Sequence, residues 1–499
     1  MRKQIIGILC LAGIFAVELK ADVKPANVFS DNMVLQREMA VPIWGTADPG
    51  EKITVEFAGQ SKTVTTGEDG KWQVKLDSLK ADAVGKEMVV SGKNSITFKD
   101  VLVGEVWLGS GQSNMAITIK EREGMQELVS SGPHPNLRLY QQGWEIADKN
   151  NSKTFSAELF SFGYHLQKSI NVPVGLMCGS KGGSAARSWL TAEMVRADDA
   201  LIKKVDFAGM IKKYDEDMLK WKEIVKNAKA EGKRAPHEPK HPVKYTGHLY
   251  RQHVEFMIPY AIKGVLWDQG ESGTGFHGVD QYTTMGALIK GWRTVWGQGD
   301  FPFLYIQKPS GGGCAWDMSL PQTKMADTFT TQPKSPMNAE RGDIKVNYIR
   351  IMNYPNTAMV TSRDLGGSNH PENKLGYGIR SARVARGFVY NENIEYYGPI
   401  YDSHKVKGKT IRIQYRHIGK GLAMKYGEKL QGFELAGEDG KFFWADAVID
   451  GDTVVVSSDQ VSAPAHVRYG YDGKHSPNRW ANLFNKDGLP ALTFSSEAK

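Results

Sequence analysis

From residue 104 onward, short apolar runs alternate with longer stretches of helical period, and each run ends in glycine or a polar residue. The runs are 106–108, 174–177, 264–267, 303–306 and 358–361, and the helical stretches include 157–169, 192–230 and 281–296. An apolar run without alternation is a strand covered on both faces. Such strands, separated by helices, predict a parallel sheet with helices on both sides. That architecture also decides where chemistry can sit, because open α/β sheets bind ligands beyond the carboxyl ends of their strands. Four junctions there are rich in glycine and polar groups. They are Gly109-Ser110-Gly111-Gln112-Ser113-Asn114, Gly179-Ser180-Lys181-Gly182-Gly183-Ser184, Asp268-Gln269-Gly270-Glu271-Ser272, and Ser362-Arg363-Asp364 running on to Asn369-His370-Pro371.

The flanks have a different rhythm. Residues 22–103 carry short alternating strands separated by turns such as Asp48-Pro49-Gly50, a spacing that suits a small β-sandwich. Strand patterns return in 400–499, read as a β-rich section packed on the α/β domain of 104–399. Within that domain the Lys-rich stretch at about 192–244 is longer than a crossover needs, and reads as an inserted helical excursion with a solvated face.

Arg2 and Lys3, the apolar run 5–17 and Leu19-Lys20-Ala21 have the form of a signal peptide over 1–21, which predicts export to a periplasmic or extracellular location. The apolar run is too short for a membrane span. Its removal lowers the formal net charge from +8 to about +6, too mild an excess to argue for a nucleic-acid partner. Beyond the leader only Cys178 and Cys314 remain, which makes neither a disulfide framework nor a zinc spacing; a pair and two buried thiols both stay open.

Ser113 is a hydroxyl held at a tight turn, where nucleophilic catalysis needs one, although Met115 breaks the lipase-type elbow. His370 follows a late strand and precedes a helical run (374–388), which makes it the candidate base. Gly182 and Gly183 would let a backbone N–H approach substrate, and the Gln269 amide is a further oxyanion donor. Arg187 and Trp189 follow the glycine loop. They are read either as contacts to sugar or carboxylate, or as a helix-start salt bridge and a packed indole.

These blocks also carry a family resemblance. Gly109–Met115, Gly182–Ser184, Trp267-Asp268-Gln269-Gly270-Glu271-Ser272 and His370-Pro371-Glu372-Asn373-Lys374 resemble the sialate O-acetylesterases of the SGNH-hydrolase superfamily. The likeness extends from Phe29-Ser30-Asp31-Asn32-Met33-Val34-Leu35-Gln36 to Asn482-Leu483-Phe484-Asn485 and Gly488-Leu489-Pro490-Ala491. The resemblance implies a flavodoxin-like sheet, Ser113 as nucleophile and His370 as base. It also implies the Ser113 and Gly183 N–H groups as oxyanion donors, with Gln269 in place of the superfamily's usual asparagine. Glu271, Arg187, Trp189 and Asn114 fall among substrate-binding or supporting residues. Many superfamily members carry an aspartate three residues before the histidine, where this chain has Gly367. Asp364 is then the first choice to orient His370, Glu271 the second, and a Ser–His dyad backed by a backbone carbonyl the third. Asp268 stands where relatives commonly carry an aromatic.

The implied reaction removes an acetyl ester from a sugar hydroxyl through an acyl-enzyme, with no metal or organic cofactor. Sialic acid is the expected acetylated carbohydrate. An acetylxylan or other plant-glycan esterase is one alternative, and a non-catalytic glycan-binding protein on an esterase scaffold another. Activity is expected to rise with pH as His370 loses its proton. The oligomeric state stays open.

Overall fold

The computed structural model describes residues 22–308, 319–320, 329–336, 342–366, 368–471 and 479–497; the expected leader and Cys314 lie outside them. Five parallel strands form the centre: β1 (Ser95–Gly111), β2 (Val174–Ser180), β3 (Gly264–Asp268), β4 (Phe303–Ile306) and β5 (Thr357–Val360). Their order across the sheet is β2-β1-β3-β4-β5. A further strand, His134–Tyr140, runs parallel beside β2, and Trp144–Ala147 pairs with it antiparallel at the edge. The whole is a mixed sheet with helices and added β-rich regions.

Every residue of β3, β4 and β5 is buried, which is why these runs lack alternation. Five helices matter here: α1 (Ser113–Ala116), α2 (Ala157–Ile170), α3 (Phe207–Ala230), α4 (Gln281–Trp296) and α5 (Lys374–Val384). The caps set their ends. Ser156 accepts from Leu159 N ahead of α2, Asp280 from Thr283 N ahead of α4, and Asn373 from Gly376 N ahead of α5. Trp107 of β1 meets Phe162 of α2 edge-on, whereas Trp267 of β3 meets Trp292 of α4. Trp267 pairs in register with Ser110, not Trp107, so the two indoles face opposite sides of the sheet and the helices cover both faces.

β1 is unusually long at 17 residues, and from Val101 on it is buried throughout. Its first half pairs with Asp82–Ser91 and Val34–Gln36 of the N-terminal region, and its second half with β2 and β3. Position 103/104, the expected domain boundary, therefore lies inside a strand. Gln36, the end of the Phe29–Gln36 block, braces that strand. It is buried, accepts from Val106 N and donates to Glu105, whose carboxylate also pairs with Arg37 at 2.5 Å. The N-terminal strands form two sheets, with Ile43, Trp72 and Leu76 buried from one and Ile53, Val55 and Phe57 from the other.

The helical pattern expected over 192–230 is broken into Ala192–Arg196, Asp199–Ile202 and α3. Asp198 and Asp206 each cap a new helix, a local competition that apolar periodicity does not register. No residue of α3 is buried. Beyond 400, strands such as Ile400–Lys407, Thr410–Arg416 and Thr453–Ser457 enclose a separate apolar core of Ile411, Ile413, Phe433, Val454 and Val456. That section is tied to the α/β domain through Arg363, which donates to the Ala481 and Ala491 carbonyls, and through Asn485 Nδ2, which donates to Tyr397 O.

Candidate active site

β1 ends where it touches β3. Gly111 has φ +132°, and a Cβ there would lie 2.0 Å from the Asp268 carbonyl oxygen, so only glycine fits. The next residue, Gln112, donates its N–H to that same carbonyl at 2.8 Å. The chain then turns into α1 with Ser113 at its first position, half-buried and open on one side. β1 lies between β2 and β3, whose connections leave in opposite directions, so Ser113 stands at the topological switch point.

His370, from the loop after β5, is exposed and places Nε2 2.8 Å from Ser113 Oγ. Neutral imidazole with its proton on Nδ1 accepts the serine hydroxyl across that distance, the reach general-base catalysis requires. The glycine loop after β2 closes the other side. A Cβ built at Gly182 would come 3.8 Å from Ser113 Cβ. Gly183 sits at φ +70° with open space beyond it. Among the described residues, the N–H groups of Ser113 and Gly183 have no hydrogen-bond partner, which leaves both available to an oxyanion.

Two expected roles, those of Asp364 and Gln269, are corrected by the hydrogen bonds these side chains make, and the open reading of Trp189 is narrowed to one. Asp364 is fully buried, and its two carboxylate oxygens take the Arg380 guanidinium at 3.1 and 2.9 Å. Among the described residues no carboxylate lies within ion-pairing distance of His370. Gln269 is buried, and its Nε2 donates to the carbonyls of Gly273 (2.8 Å) and Ser184 (3.3 Å), so both amide protons are committed to joining two loops and none faces an oxyanion. Trp189 is a packed indole, fully buried, donating to Ser184 Oγ and lying edge-on against Trp267.

Glu271 receives side-chain donors: Gln112 Nε2, Asn114 Nδ2 at 3.0 Å and Lys308 Nζ at 2.7 Å. Arg187 is half-buried above the Tyr245 ring, 5.8 Å from its centroid, with no carboxylate partner among the described residues.

Beneath the serine turn lies a buried set of charges that sequence reasoning did not anticipate. Lys308, two residues after β4, bridges Asp268 (2.6 Å) and Glu271 (2.7 Å). Lys374, at the start of α5, donates to Asn114 Oδ1 at 2.7 Å and stands 3.6 Å from Glu158 of α2. Lys374, Glu158, Asp268 and Asn114 are all fully buried. Burial, reinforced by Asp268, pushes the Glu158 carboxyl up to about 8, while burial pulls Lys374 down. Lys374 does close the His370–Lys374 block, but a lysine next to a motif carries no sign of being buried.

No protein-family model matches the chain. Among curated proteins, it is 27% identical over 424 residues to the sialate O-acetylesterase of Homo sapiens, covering 75% of this chain and 73% of the relative. It is likewise 27% identical over 432 residues to the sialate O-acetylesterase of Mus musculus, covering 75% of each. Among solved structures, a carbohydrate acetylesterase from Xanthomonas citri superposes with a TM-score of 0.76 at 26% identity, covering 96% of this chain and all of that one.

Proposed function

We propose, on the premise that the chain belongs to the sialate O-acetylesterase family and is an esterase, that Ser113 and His370 remove O-acetyl groups from a sialic acid. The 2.8 Å contact between His370 Nε2 and Ser113 Oγ carries this reading. Ser113 Oγ attacks the acetyl carbonyl carbon as its proton passes to His370 Nε2. The Ser113 and Gly183 N–H groups hold the oxyanion. Collapse breaks the bond to the sugar oxygen, which takes the proton from His370 and leaves acetyl on Ser113. Water, deprotonated by the same imidazole, then releases acetate and restores the hydroxyl. The order β2-β1-β3-β4-β5 supports reading the domain as the flavodoxin-like, SGNH type. The leader pattern in 1–21 supports export, and no helix among the described residues is long and apolar enough to cross a membrane.

A cluster of cations favours sialic acid over acetylxylan. The glycine loop runs directly into Arg187, whose carbonyl accepts Gly247 N at 3.0 Å, and Arg187 and Lys240 both lie over the Tyr245 ring. His248 stacks on the same ring, and burial together with Lys240, Arg251 and Arg187 holds its protonation below the ordinary range. Among the described residues Arg187, Lys240 and Arg251 have no carboxylate partner in an ion pair. They suit the carboxylate that a sialic acid carries and a neutral xylan lacks.

Acetate release is to be compared on 9-O-acetylated sialic acid, its methyl ester and acetylated xylo-oligosaccharides. The free acid should be preferred, and Arg187→Ala should remove that preference by about 10-fold or more in KM, the worth of one charge-assisted contact. Equal rates on all three would favour the plant-glycan alternative. Activity that survives Ser113→Ala or His370→Ala would overturn the serine mechanism. Glycan binding with no hydrolysis would leave the non-catalytic reading.

A further inference from the structure

We propose that Asn114 is a positioning residue for His370, and that its side-chain amide supplies from the serine turn the fixity that a carboxylate behind the imidazole would supply. The proposal rests on Ser113 and His370 being nucleophile and base. Asn114 follows the nucleophile, is fully buried, and spends its whole amide on other loops. Nδ2 donates to the Asn369 carbonyl at 3.0 Å and to Glu271 Oε1 at 3.0 Å, while Oδ1 accepts from Lys374 Nζ at 2.7 Å. The amide cannot turn over, because a flip would set its oxygen against a carbonyl and a carboxylate, and its NH2 against an ammonium.

The groups that hold Asn114 are themselves held. Glu271 is bound by Lys308 and Gln112, and Lys374 stands 3.6 Å from Glu158 in the same buried cluster. Charge-assisted bonds in a dry setting are strong and directional, so the amide is a fixed point. The bond it donates ends on the peptide immediately before His370. Apart from the Ser113–His370 contact, it is the only hydrogen bond among the described residues from the serine turn to the segment 368–373. At His370 and Glu372 the other restraints are weaker, a local bond from His370 N to Ser368 Oγ and an ion pair of Arg122 with Glu372, whose side chain is 57% exposed. Beyond them the segment is tied into α5 by the Asn373 cap on Gly376 N and by Lys374 N on the Glu372 carbonyl. Asn114 thus ties nucleophile and base into one unit, with Lys374 reaching it from the helix that follows the base.

A residue that acts through His370 should matter only while His370 is present. Asn114→Ala should lower kcat on 4-nitrophenyl acetate by about 10²-fold with KM little changed, the penalty of an ångström-scale misplacement. The same substitution made in a His370→Ala background should lower the residual rate no further. Lys374→Met, which removes the bond to the amide oxygen while leaving every residue of the serine turn in place, should show the same non-additivity; it carries the comparison should Asn114→Ala fail to fold, as judged by urea unfolding. An equal loss in both backgrounds would assign Asn114 to Ser113 or to the fold, and full activity in either single variant would also overturn the proposal. A His370→Ala enzyme with undiminished activity would instead overturn the assignment of the base.

Discussion

Among the described residues no carboxylate stands behind His370 where it reaches Ser113, and the acid expected to orient it is engaged elsewhere. Asp364 and Arg380 form a buried, bidentate pair. Asp364→Ala would leave an uncompensated guanidinium in the core, at about 3–5 kcal/mol of stability. Urea unfolding should show that loss, while kcat of the folded protein stays far short of the roughly 10⁴-fold fall that removing a triad acid brings. At this scale the sequence is legible where a residue's meaning is local. Ser113 in its glycine turn and His370 ahead of its helix could both be read that way. Asp364 and Gln269 could not, because their partners, Arg380, Ser184 and Gly273, are set by how loops meet. A carboxylate or an amide in a loop has the same sequence signature whichever partner it finds.

The elements show the same division between local pattern and crowded contact. β2 to β5 follow the apolar runs closely, since burial on both faces leaves a clear trace in composition, whereas β1 begins eleven residues before its run. What could not be read is the charge enclosed beneath them. Glu158 in the first turn of α2 faces Asp268 of β3, Lys374 of α5 and Lys308 after β4. Its carboxyl is raised from an ordinary 4.5 to about 8, so the folded state favours its neutral form. The stability this gives is complete below pH 4.5 and is lost as pH climbs through about 8. Glu158→Gln keeps the neutral shape, so wild type should weaken relative to the variant across that window and level off above it. Urea midpoints measured at each pH check this. The contact of β1 with β3 is equally crowded. Gly111→Ala would force a Cβ to 2.0 Å from the Asp268 carbonyl at a left-handed φ, and should cost several kcal/mol and displace Ser113 together.

Across the whole molecule, the solvated face expected of the Lys-rich stretch holds along α3, where no residue is buried and Leu219 and Ile224 are exposed. An element with nothing buried is held by few contacts and opens readily. Limited proteolysis should therefore cut first within 207–240, and the nicked protein should keep its rate on 4-nitrophenyl acetate. Its KM for a carboxylated sugar should rise, because Lys240 and Tyr245 close the base of this arm. The boundaries between regions were harder to read than the regions themselves. Strand composition changes gradually from half-buried to fully buried along β1, and no turn signal marks 103/104.

That single strand bears on how such a protein can be recombined. The N-terminal region and the esterase domain are not cassettes joined by a linker. Any splice near 103/104 falls inside a hydrogen-bonded ladder that includes Val34–Gln36, β2 and β3. A graft with one residue too many or too few would exchange the two faces of everything downstream to Gly111, turning Trp107 towards α4 and Leu108 towards α2. Ser113, two residues past the end of the strand, would be carried out of reach of His370. Swapping residues 22–103 is thus an operation on the turn that carries Ser113, carried out from the far end of the sheet.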